Sequence, residues 1–191
     1  MKRVLPVILF LFFSYAAYCQ TSGGPDAYGY TWENSNHNVT PPAYQWLDIT
    51  QIGSEVTGLG DDNIVGPFSA SNGFQFYWYP VNQFYVGSNG YISFDGNNIA
   101  SPFPATVPMS TGANNWIAPM MADLNFNGPA NPAKVYIYYN TDTVCISYHD
   151  VPFWENSPSG FTGSCTFQII MNKSDKSITF NYKSMSLGNI V

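Results

Sequence analysis

Few groups in this chain are able to do chemistry. They are two histidines, His37 and His149, two cysteines beyond the first twenty residues, Cys145 and Cys165, and a scatter of carboxylates. No serine stands in a G-x-S-x-G turn, and neither histidine has the company of a nucleophile and a carboxylate that a triad requires. The histidines and cysteines are too widely spaced for a zinc site. Glycoside hydrolysis needs only two carboxylates, and Asp61, Asp62, Asp123, Asp150 and Glu155 leave that open. Nothing selects a pair, and Asp beside Gly or Asn is first of all a turn former. The expectation is no catalytic residue, no enzymatic activity and no cofactor.

Three weaker patterns remain. In DLNFNG, Asp123, Asn125 and Asn127 sit at every second position before Gly128, like the start of a calcium loop. The twelfth position is Lys134 where such a loop wants a bidentate Glu, so the competing reading is a strand that ends in a polar turn. Cys145 and Cys165 are candidates for a disulfide in an oxidising compartment. Their phases disagree: Cys145 shares a face with Ser147, and Cys165 with Phe167 and Ile169, so a simple pairing separates them unless a bulge intervenes. Trp116 in GANNWIAP and Trp154 in VPFWENSPSG lie beside polar turn residues. They are candidate contacts for a sugar or peptide, with burial in the core as the alternative.

What must position these groups is a single domain with attachments, because 191 residues suffice for one sizeable core. The chain opens MKRVLPVILFLFFSYAAYCQ: a basic start, an apolar run over residues 4–17, then small residues. That is a secretory signal peptide over residues 1–19, shorter than the roughly 20 apolar residues of a spanning helix. Cleavage is expected before Gln20. Lipidation at Cys19 is the competing reading, disfavoured because Tyr18 is not small. Removing the leader leaves four lysines against twelve carboxylates, a net charge of −8, with no Lys or Arg anywhere in residues 4–133. Such a chain has no positive groove for nucleic acid and no attraction to an anionic membrane. No transmembrane segment is expected in the mature protein.

The rest reads as strands. Period-two alternation recurs between Gly, Pro, Asn and Asp clusters, in GFQFYWYPV, KVYIYYN, DTVCISYHDV, CTFQIIMN and SITFNYK, and no long stretch has helical spacing. An all-β, antiparallel two-layer sandwich is expected, with a barrel as the alternative. In QFYVGSNGYISF the Asn89-Gly90 pair predicts a two-residue type I′ hairpin turn, pairing Ser88 with Tyr91, Val86 with Ser93 and Tyr85 with Phe94. Phe76, Phe94 and Phe180 fall on apolar phases and are expected in the core. Residues 20–64 read as an exposed lead-in and first strand.

The order GFQFYWYPVNQFYVGSNGYISF, NNWIAPMMADLN, TFQIIMNKSDKSITFNYK resembles the nidogen-type extracellular β domain over roughly residues 65–182. Similar segments, led by a PPAYQWLDI-like stretch, occur near the amino end of large secreted Gram-negative proteins exported by the type IX route. The resemblance implies a non-catalytic adhesion or binding module with an extracellular protein or glycan partner, secreted or at the cell surface. It supplies no catalytic residue. It also implies strands past SLGNIV, so residues 65–191 are expected to be a domain cut short. The competing function is an accessory substrate-binding or targeting domain of a larger secreted hydrolase.

Overall fold

The computed structural model describes residues 20–99 and 114–188. The expected leader and its cleavage point therefore lie largely outside the described residues. The chain divides into two units, Met1–Ala43 and Tyr44–Val191. Within the first, β1 (Ser22–Gly23) pairs antiparallel with β2 (Trp32–Glu33), so the expected lead-in carries a small ribbon of its own. One Asp26 oxygen accepts the amides of Tyr28, Gly29 and Tyr30 at 2.8–3.0 Å and fixes the connecting turn.

The second unit is all antiparallel strand. β3 (Ser54–Glu55), β8 (Lys134–Tyr139), β9 (Thr143–Trp154), β10 (Phe161–Asn172) and β11 (Ile178–Ser186) form a five-stranded sheet in the order β11-β10-β9-β8-β3. β4 (Ile64–Phe76), β5 (Tyr79–Gly87), β6 (Tyr91–Ser93) and β7 (Trp116–Ile117) form a four-stranded sheet in sequence order. Neither closes into a barrel. Phe74, Phe84, Val86 and Ile92 of the smaller sheet share one core with Val135, Ile137, Ile146, Tyr148, Phe167 and Ile169 of the larger, as in a two-layer sandwich. Tyr148 reaches furthest across. Its ring stacks on Phe167 at 4.5 Å, and its buried hydroxyl lies 2.9 Å from Gly87 O and 3.0 Å from Tyr91 O.

Alternation alone predicts one buried face per strand, yet Cys145, Ser147, Thr166 and Gln168 are buried as well. Over Gln168 the cover is residues 45–49, which run along the outer face of the sheet. Gln168 bonds both backbone groups of Leu47, Asn181 donates to Gln45 O at 2.7 Å, and Lys183 Nζ sits 5.1 Å above the Trp46 ring. Part of the stretch expected to be an exposed lead-in is thus a covering layer, and Ile49 within it is fully buried.

Four local expectations are corrected. The Asn89-Gly90 hairpin exists, but Gly87 pairs with Tyr91, Val86 with Ile92 and Tyr85 with Ser93, one residue away from the two-residue register. The loop is Ser88-Asn89-Gly90, with positive φ at Gly90 (76°), the three-residue form rather than type I′. GFQFYWYPV is not one strand: it turns at Tyr77-Trp78, between paired Phe76 and Tyr79. Phe94 is buried and Phe76 half-buried, but Phe180 is exposed, because β11 is the edge strand and only its Ile178 packs on the core. Cys145 and Cys165 are both buried and both free. The ladder sets Cys145 opposite Ile170, five residues along β10 from Cys165 and so roughly 17 Å away, well beyond disulfide reach.

Candidate functional site

Three segments distant in sequence meet at one end of β5: the loop of residues 58–63, the turn Ser88-Asn89-Gly90, and residues 120–126. Polar side chains that are buried must be bonded, and here they bond across segments. Ser88 N donates to Asn63 O, and Asn63 N to Ser88 Oγ. Asn89, fully buried, donates from Nδ2 to Asp62 Oδ1 at 3.0 Å and accepts the Leu124 amide at 2.9 Å. Phe126 N donates to Gly60 O at 3.0 Å. A Cβ on Gly90 would stand 2.0 Å from Met120 O, so the glycine serves close approach as well as the turn. Residues 123–125 are in turn laid along β9: Trp154 N donates to Asp123 O, Asn125 N to Pro152 O, and Leu124 bridges Phe153.

This joint gathers carboxylates. Asp61, Asp62 and Asp123 each bring an oxygen to within 4.8 Å of the others. Among the described residues no Lys or Arg pairs with any of them; Lys134 pairs with Glu55 instead. Burial, then the neighbouring Asp62 and Asp123, raise the pKa of Asp61, and burial with Asp62 raises that of Asp123. Oδ1 of Asp61 is buried and accepts no hydrogen bond.

Two of the segments that meet here, the turn at Asn89 and residues 120–126, fall in stretches that carry the resemblance. The NIDO-related family model matches residues 30–190. The chain belongs to the nidogen-related family. No curated protein and no solved structure matches it.

The remaining candidates of this nidogen-related domain are sorted apart. Asp123 enters the carboxylate cluster, but Asn125 does not join it. Asn125 accepts the Asn127 amide at 2.7 Å and donates to Gly160 O at 2.7 Å, so its side chain closes a turn. Asn127 in turn gives its carbonyl to Asn131. Trp116 is half-buried against Tyr91 and Ile99, whereas Trp154 is substantially exposed at the end of β9. Asp61 and Asp62, 61 or more residues from Asp123, had no local pattern to link them to it.

A serine and a histidine do touch. Ser147 Oγ is 2.8 Å from His149 Nε2, a contact made by their spacing of two on β9. Ser147 is fully buried under residues 45–49 and also receives Gln168 Nε2 at 3.2 Å. Its hydroxyl has no path to a substrate, and burial, between the rings of Trp46 and Tyr136, lowers the His149 pKa.

The exposed aromatic surface lies at the opposite end of β5, where β4 turns into it. Trp78 is 62% and Tyr79 68% exposed. Tyr77 stacks on Trp78 at 5.9 Å and meets Phe76 edge-on at 4.8 Å. Tyr77 has φ of 50°, an outlier for a bulky residue and a form of strain that collects at functional sites. Beside this tip Phe76, Tyr79, Val81, Phe94 and Asn115 line a hollow of about 100 Å³.

Proposed function

We propose that this nidogen-related chain is a non-catalytic extracellular binding module of a large secreted or surface-attached bacterial protein, and that it holds glycans with the aromatic tip. The observation that carries the reading is the Tyr77-Trp78-Tyr79 tip, with Trp78 and Tyr79 exposed beside the hollow. Flat rings beside amides such as Asn115 suit the apolar face and hydroxyl rim of a sugar. With no cation in residues 4–133, nothing on this part of the chain favours an acidic ligand. The amino-terminal leader supports export, and the PPAYQWLDI stretch with the family match supports a type IX setting. The buried Ser147 and the lack of a nucleophile motif support absence of catalysis.

The test is a glycan and matrix-protein array probed with the secreted chain and with Trp78→Ala and Tyr79→Ala. Glycan signals lost in both variants are expected. Signals equal in all three proteins, or confined to matrix proteins, overturn the glycan reading. The secreted amino terminus should be Gln20, and turnover of any glycoside or peptide substrate by the isolated chain would refute the non-catalytic assignment.

A further inference from the structure

We propose that residues 45–49 are a pH-released strap, latched over the five-stranded sheet by the neutral ring of His149 and freed when that ring takes up a second proton. The latch is a chain of hydrogen bonds. Gln168, fully buried, clasps the strap from the sheet: its Oε1 accepts the Leu47 amide at 3.2 Å, and its Nε2 donates to Leu47 O. Nε2 also donates to Ser147 Oγ at 3.2 Å, and Ser147 Oγ lies 2.8 Å from His149 Nε2. The Trp46 ring of the strap and the Tyr136 ring of β8 both meet His149 edge-on, at 5.9 and 5.5 Å. The hydrogens of this chain can run in one direction only. Leu47 needs an acceptor for its N–H and a donor for its C=O, which fixes the Gln168 amide and makes Ser147 Oγ an acceptor. Among the described residues the Ser147 hydroxyl then has only His149 Nε2 to donate to, so that nitrogen is bare and the ring proton sits on Nδ1.

A second proton must enter at Nε2. It turns the acceptor into a donor and strands the hydroxyl of Ser147, which is fully buried. The charged groups around the ring do not cancel this. Burial holds the His149 pKa below its ordinary value, although Asp150 on β9 and Asp48 on the strap pull it up; Lys183 on β11 acts with burial. Asp48 is already engaged by Thr50, whose amide and hydroxyl both donate to its Oδ1. Closure has a cost of its own, since Trp46 Nε1 is buried with no acceptor, and release would hydrate it. The closed strap thus excludes a proton that the open one accepts at the ordinary histidine value of about 6.5. It is held fully above that pH and loosens as pH falls below it. The device does not rest on the glycan reading.

Amide hydrogen exchange of the full secreted chain, read by NMR on either side of the histidine range, at about pH 7.5 and about pH 5, tests this. After correction for the intrinsic pH dependence of exchange, protection of the Leu47 amide should fall about tenfold or more on acidification of the wild type. It should hold in His149→Gln, whose side-chain oxygen can accept from Ser147 but does not titrate. Ring nitrogen shifts of His149 in the wild type at neutral pH should report the Nδ1–H tautomer, a readout that needs no variant. Equal Leu47 protection at both pH values overturns the proposal, and so does an Nε2–H tautomer. The same fall in His149→Gln overturns it too, and would assign the change to the carboxylates of Asp48 and Asp150.

Discussion

Strand β5 joins two unlike ends of the molecule, roughly 26 Å apart by its length. At the Gly87 end, polar groups are buried and nearly all bonded across three chain segments. At the Tyr79 end, large aromatic rings stand in solvent on a strained turn. The first arrangement suits a place that specifies the fold, since each buried polar group accepts only one set of neighbours. The second suits a place that meets something else, since exposure of such rings contributes nothing to the core. Substitutions of similar size should therefore have opposite consequences at the two ends.

The largest effect is expected from Gly90→Val. Its Cβ would fall 2.0 Å from Met120 O, on a residue with φ of 76°, so both the turn and the close approach fail. A loss of about 4 kcal/mol or more, or no folded protein, should appear in urea unfolding followed by circular dichroism. A mild loss would mean that the joint is more yielding than its hydrogen bonds imply.

Asn89→Ala comes next. It removes the donor to Asp62 and strands the Leu124 amide in the interior, which costs about 1–3 kcal/mol for the buried group left unpaired. The same unfolding measurement checks it.

How these positions read from sequence differs between the ends for physical reasons. The strands were legible because β8 alternates Val135 and Ile137 inward against tyrosines, a local pattern with a local cause. The hairpin at Asn89 was legible in place but not in kind. Its loop length is decided by partners at Asn63, Met120 and Leu124, none nearby in sequence. Tyr77-Trp78 read as strand because aromatic residues favour sheets, and no Gly, Pro or Asn announces the turn. Asp123 was singled out for calcium in the company of Asn125 and Asn127. The carboxylates it meets in the fold are instead Asp61 and Asp62, brought in by topology. Trp116 and Trp154 drew attention through their polar flanks, whereas Trp78 and Tyr79 are the most exposed of the described aromatic side chains.

Acidification should separate the two ends further. The folded-state pKa values of Asp61 and Asp123 lie above the ordinary carboxylate value, so ionising these groups costs stability. That deficit is present at neutral pH and shrinks as pH falls through the folded-state pKa towards about 4. Asp61→Asn removes the ionisation. The stability difference between variant and wild type should therefore be largest near neutrality and fade on acidification, with urea midpoints measured at each pH. A pH-independent difference would show that Asp61 bears no such penalty.

The smallest effect on stability is expected at the tip. Trp78 is 62% exposed and sits on a two-residue turn, so Trp78→Ala removes little buried surface. Its unfolding free energy should stay within about 0.5 kcal/mol of wild type. Array binding to glycans should nonetheless fall away, because the ring that offers its face to a sugar is gone. Both readouts are needed, since a stable variant that still binds would leave the tip without a function, and a destabilised one would make it part of the scaffold. Either result would erase the distinction between the two ends of β5. A variant folded as firmly as wild type yet blind to its ligand would establish that the joint holds the domain while the tip does its recognition.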